Sequence, residues 1–110
     1  MAVVSSHILN SVDGTHAGGI KVRLLNLDTG ETLFEAQTDE GGRLKQEIPD
    51  PDPDACYEMV FQTSAYWETQ GVSKSRTREI VLRFVMPEKV ATYHSPIILG
   101  PNGYSLWTSH

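Results

Sequence analysis

Apolar residues in this chain recur at alternate positions over short stretches, and turn residues interrupt them about every eight to twelve positions. Residues 19–25 set Ile20, Val22 and Leu24 on one face, with Lys21 and Arg23 opposite. That is the period of a half-buried strand, because successive side chains leave a strand on opposite sides. Residues 78–86 carry the clearest version, with Ile80, Leu82, Phe84 and Met86 on a common face. Residues 3–9 predict a first strand, closed by a turn at Asp13-Gly14. Asp28-Thr29-Gly30 places glycine where a tight turn needs positive φ, which predicts a hairpin into residues 31–38. Asp39-Glu40-Gly41-Gly42 predicts another turn, followed by a strand over residues 43–48.

Residues 49–54 alternate proline and aspartate, which removes backbone donors and favours solvent, so an exposed extended loop is expected. A strand follows over residues 56–61. Residues 63–70 predict a short helix stopped by Gly71, with Tyr66 and Trp67 packing it onto the rest of the protein. Residues 93–99 and 104–109 predict the last two strands, joined by a hairpin turn at Gly100-Pro101-Asn102-Gly103. About eight strands and one short helix predict an all-β, antiparallel sandwich.

Length and composition narrow this picture without changing it. At 110 residues, one domain over residues 1–110 is expected. Hydrophobic residues at 39% and charged residues at 21% match an ordinary globular protein. The net charge of −5 argues against nucleic-acid binding, since neutralising phosphates needs clustered lysine and arginine. The loose group Lys74, Arg76 and Arg78 reads as a solvated strand start. Cys56 is the one cysteine, so no intrachain disulfide forms, and it reads as a small buried hydrophobe within a strand. No apolar run is long enough to span a bilayer, which argues against a membrane partner. The first ten residues lack a basic n-region, and Thr108-Ser109-His110 is not a peroxisomal address. The expectation is a cytoplasmic protein.

Four stretches carry candidate chemistry. They are Ser6-His7-Ile8-Leu9-Asn10, Thr38-Asp39-Glu40-Gly41-Gly42-Arg43, residues 57–67, and Tyr93-His94-Ser95-Pro96-Ile97-Ile98-Leu99-Gly100-Pro101-Asn102-Gly103-Tyr104-Ser105. The first resembles the Thr-His-Val-Leu-Asp opening of transthyretin-related 5-hydroxyisourate hydrolases, and the second their turn ending in Asp-Gly-Arg. The third resembles the strand-to-helix segment of the same family. The fourth resembles its signature, Tyr-His-Val-Pro-Leu-Leu-Leu-Ser-Pro-Tyr-Gly-Tyr-Ser, and is the most specific of the four. The landmarks keep family order and spacing over essentially the whole chain.

The resemblance implies a prealbumin-like sandwich that assembles as a homotetramer, a dimer of dimers, with active sites in a channel between facing subunits. It also implies a small-molecule substrate, 5-hydroxyisourate, whose ring is opened by water in purine degradation. Matched position by position, the family's catalytic residues fall on His7, Arg43 and His94. The chemistry suits these types. Imidazole, with an unperturbed pKa of about 6.5, can activate water near neutral pH. A guanidinium offers fixed donors to the oxygen that gains charge as water adds. A second imidazole can orient the water or return the proton to the departing nitrogen. His7 is assigned as general base, Arg43 as oxyanion stabiliser and His94 as the orienting or proton-returning partner, with the two histidine roles exchangeable. Outside these motifs the histidines would read as surface or satisfied core residues, and Arg43 as an exposed strand start. His16 reads as solvated.

The tail departs from the family. Where Tyr-Arg-Gly-Ser is expected, this chain has Trp107-Thr108-Ser109-His110. Trp107, Ser109 and His110 are therefore the candidate substrate-binding residues, Trp107 offering a flat apolar face and an indole donor. Three outcomes stay open: a hydrolase of 5-hydroxyisourate, a hydrolase of another cyclic amide, and a non-enzymatic small-molecule-binding protein of the transthyretin kind. No cofactor is expected. His7, His94 and His110 as zinc ligands lack any short-range ligand spacing, so no metal is expected either.

Overall fold

Along β1 (Ala2–Asn10) every second residue is buried, and the residues between are half-buried. Ala2, Val4, Ser6, Ile8 and Asn10 point into the core, leaving Val3, Ser5, His7 and Leu9 on the outer face. The structure, a computed structural model, describes residues 1–72 and 74–109. After β1 come β2 (Lys21–Asn26), β3 (Thr32–Gln37), β4 (Arg43–Ile48), β5 (Tyr57–Gln62), α1 (Thr63–Thr69), β6 (Ile80–Phe84), β7 (Thr92–His94), β8 (Ile97–Leu99) and β9 (Tyr104–Leu106). One sheet has the order β4-β1-β8-β9, with β7 also paired to β1, and the other has β3-β2-β5-β6.

The inner faces of the two sheets enclose Ile8, Leu24, Tyr57, Met59, Phe61, Ile80, Ile97 and Leu99. Helix α1 adds Trp67 and Tyr66, both buried, their rings meeting edge to face at 5.1 Å. Burying a side chain of this size contributes about 1.5–3 kcal/mol, so this layer holds the sandwich together. Several of its polar side chains find partners, while Trp67 Nε1 and Thr63 Oγ1 find none among the described residues. Ser6 Oγ donates to the Ser95 carbonyl at 2.6 Å, and Asn10 Nδ2 donates to Tyr66 Oη at 2.9 Å. Thr38 Oγ1 donates to the Ala17 carbonyl and accepts from the Ile20 amide.

The turns at Gly14, Gly30, Gly42 and Gly71 have the positive φ that glycine permits, and the 28–30 and 100–103 hairpins form as expected. Five expectations need correction. Nine strands are present among the described residues, because the expected strand over 93–99 breaks at Ser95-Pro96, where proline removes a ladder donor. The sheets are not wholly antiparallel, since β1 runs parallel to β7 and β8. Chain ends far apart in sequence enter that sheet from the same end. Cys56 sits just before β5 and is only half-buried. Pro51 is buried while its neighbouring aspartates stay exposed, so the 49–54 segment is partly docked. Lys74, Arg76 and Arg78 are exposed but precede β6 rather than start it. Their segment is tied to the 100–103 turn by the Arg76 amide, which donates to Asn102 Oδ1 at 2.7 Å. Among the described residues no helix is long and apolar enough to cross a membrane.

Candidate active site

The outer face of β1 gathers the candidate residues. β4 lies antiparallel beside β1 with Arg43 directly opposite His7 and Lys45 opposite Ser5. Paired residues share a face, so Arg43 and His7 project together. The turn before β4 sets this register. Asp39 Oδ1 accepts from the amides of Gly41 and Arg43, each at 2.9 Å, and the Asp39 amide donates to the Arg43 carbonyl. Gly42 passes so close to β1 that the Ile8 amide donates to its carbonyl at 2.8 Å. Any Cβ there would collide with the Ile8 carbonyl oxygen, and φ is +72°. Only glycine fits at position 42, directly before Arg43.

His94 arrives from β7. It is paired with Ser5, and its Nδ1 lies 2.8 Å from Ser5 Oγ. His94 and His7 thus share the outer face, two residues apart along β1, or roughly 7 Å at the rise of a strand. The tail closes beside them: the His94 amide donates to the Ser109 carbonyl at 2.9 Å, and the Ser109 amide returns to His94 at 2.8 Å. His94, Thr108, Ser109 and Phe84 border a cleft of about 330 Å³. Trp107 joins through its backbone, its amide 3.4 Å from the Pro96 carbonyl, while its side chain is 48% exposed. His110 lies outside the described residues.

His16, expected to be solvated only, is exposed but engaged. After Asn10 the chain reverses, with the Gly14 amide donating to the Asn10 carbonyl, and residues 15–17 return along β1. Leu9 then bridges His16, flanked by the Asn10 amide on Thr15 and the Ala17 amide on Ile8. This return places His16 Nδ1 3.1 Å from His7 Nε2, the rings 5.2 Å apart and only 20° from parallel. The sequence signal was the Asp13-Gly14 turn: a tight return there brings His16 to the face that His7 occupies. Ser5 was likewise missed, because its role follows from a pairing with residue 94 that no local pattern encodes.

These neighbours change His7. Burial, then the Arg43 charge, then His16, and finally His94 lower its pKa below 6.5, while a hydrogen bond with the Gly41 backbone acts in the opposite direction. Burial and the Arg43 charge are the largest of these, and both disfavour a positive charge on His7. The direction favours neutral His7, the form that accepts a proton. Among the described residues no three histidine, cysteine or carboxylate side chains converge as a metal site.

Residues 4–108 match the family model described as the HIUase/Transthyretin family. The chain is 32% identical over 108 residues to a 5-hydroxyisourate hydrolase of Salmonella typhimurium, covering 96% of this chain and 79% of that protein. Its fold matches the structure of Klebsiella pneumoniae 5-hydroxyisourate hydrolase with a TM-score of 0.85 at 30% identity over the full length of both chains. It also matches transthyretin from Sparus aurata, with a TM-score of 0.82 at 25% identity, over 96% of this chain and 95% of that one.

Proposed function

The chain belongs to the HIUase/transthyretin family, and on that premise we propose that it hydrolyses 5-hydroxyisourate, with His7 as general base. The observation that carries the proposal is Arg43 in direct register with a His7 whose proton affinity is lowered. Relatives named 5-hydroxyisourate hydrolase support the reaction class.

Neutral His7 takes a proton from water as the oxygen attacks a ring carbonyl. Arg43 donates to the carbonyl oxygen as its charge grows; such a donor typically contributes about 10²- to 10³-fold. The C–N bond then breaks, and the nitrogen takes up the proton. His94, steadied by Ser5 Oγ, orients the water or returns that proton. Trp107, Ser109 and His110 are proposed to close the site from the tail. The reading includes a dimer of dimers, in which the outer face of β1 lines a channel shared with a facing subunit. Light scattering checks this: a tetramer mass is expected, and a monomer would remove the channel.

The rewritten tail favours a second reading. Thr108 stands where the family carries arginine, and Trp107 is half exposed, features suited to holding an apolar ring without reaction. The test is 5-hydroxyisourate made freshly from urate, its ultraviolet absorbance followed with and without the protein. Acceleration supports the hydrolase. Decay at the spontaneous rate, together with a thermal shift by aromatic ligands, supports the binding protein.

A further inference from the structure

We propose that His16 is a positioning residue for His7, the two imidazoles acting as one proton-accepting unit. The inference rests on the reading of His7 as general base. Its observation is independent of that reading: His16 Nδ1 lies 3.1 Å from His7 Nε2, with the rings nearly parallel. The backbone holds His16 there, since the Thr15 carbonyl and the Ala17 amide bind β1 on either side of it. An exposed histidine on an unanchored loop would not be held against another ring in this way.

Two neutral imidazoles that share a hydrogen bond must divide one hydrogen between the facing nitrogens. Either His16 Nδ1 donates and His7 Nε2 accepts, or the reverse. In the first case the free lone pair lies on His16 Nε2 and in the second on His7 Nδ1; His7 as base requires the second, so His16 selects the basic atom. When water attacks, its O–H bond breaks and the C–O bond forms at the carbonyl. The released proton enters the pair at the nitrogen that the shared hydrogen bond leaves free. When the C–N bond breaks, the same proton leaves for the nitrogen, and the pair returns to its neutral state.

Other groups around the pair are accounted for. Arg43 on β4 and His94 on β7 both disfavour a cation at His7. The Asp13 carboxylate, in the loop of His16, is occupied by the Thr15 amide and hydroxyl. The Asp39 carboxylate is occupied by the amides of Gly41 and Arg43. Neither carboxylate appears among the influences on His7, whereas the Gly41 backbone does, favouring the protonated ring against the other influences.

The experiment combines nitrogen-15 imidazole titrations by NMR with kcat/KM against pH on 5-hydroxyisourate, for the unmodified chain, His16→Gln and His16→Phe. Two coupled titration steps are expected from the unmodified pair. In His16→Gln, which keeps a neutral hydrogen-bonding group, His7 titrates in one step at higher pH and the acid limb of kcat/KM moves up with it. His16→Phe keeps a flat ring but no shared proton, and kcat at pH 7 falls about tenfold with KM nearly unchanged. Glutamine is expected to recover part of that loss. The proposal is overturned if His7 titrates identically in all three proteins, or if the variants lower Tm while the acid limb stays in place. A chain with coupled titration but no acceleration of 5-hydroxyisourate decay counts for the pair and against the substrate.

Discussion

The outer faces of the two sheets arrange their charged side chains on opposite principles. On the β3-β2-β5-β6 sheet, Arg23 stands opposite Glu35, Arg83 Nε meets Glu58 Oε1 at 3.1 Å, and Gln62 Nε2 donates to Glu79 at 2.9 Å. Opposite charges face one another there. On the β1 sheet, Arg43, His16 and His94 surround His7, and each makes its protonation less favourable. The first face also holds the larger hollow, about 450 Å³ bordered by Lys21, Arg23, Glu35 and Gln62, against about 330 Å³ beside His94. The crowding around His7, more than concavity, is what marks the proposed site.

His7→Ala should sharpen this contrast most, lowering kcat/KM for 5-hydroxyisourate by about 10²- to 10⁴-fold. Glu35→Gln on the opposite face should leave the rate within about twofold, and an equal loss there would place the site on the wrong sheet. Arg43→Ala comes next, with an expected loss of about 10²-fold in kcat, as for removal of an oxyanion donor. A change confined to KM would make Arg43 a binding group only.

Gly42→Ala separates geometry from chemistry. It adds a Cβ where the Ile8 carbonyl oxygen already stands and forces a positive φ, so stability should fall by about 1–3 kcal/mol in denaturant unfolding. An unchanged midpoint would mean that the turn has room to move. The pH dependence follows from the sign of the His7 shift. Its pKa lies below 6.5 and the neutral form is the base, so activity persists at pH 6.5 and falls as pH drops through that lowered value. An acid limb centred above 6.5 would contradict the crowding of cations. Smallest of all, Glu58→Gln removes a pair whose arginine side chain is 67% exposed, and solvent screening limits the effect to less than about 1 kcal/mol by thermal melting.

Much of the fold was legible in the chain because strand periodicity is local. The alternation in residues 19–25 became β2, with Val22 and Leu24 buried and Lys21 and Arg23 exposed. Gly71 ended the helix, and Pro96 split a strand that the apolar pattern alone had run together. The parallel pairing of β1 with β7 and β8 was not legible, because it depends on how the chain returns after β6.

The site divides along the same line. The amino-acid order offered His7, Arg43 and His94 as candidate groups for the chemistry, and it supplied Gly42, which lets Arg43 reach its place. Only the tertiary structure put Arg43 across from His7, Ser5 against His94, and His16 within 3.1 Å of His7. Residue types and turns are written in short stretches of chain. Register and proton affinity are set by residues brought together from distant stretches, and they exist only once the sheet has formed.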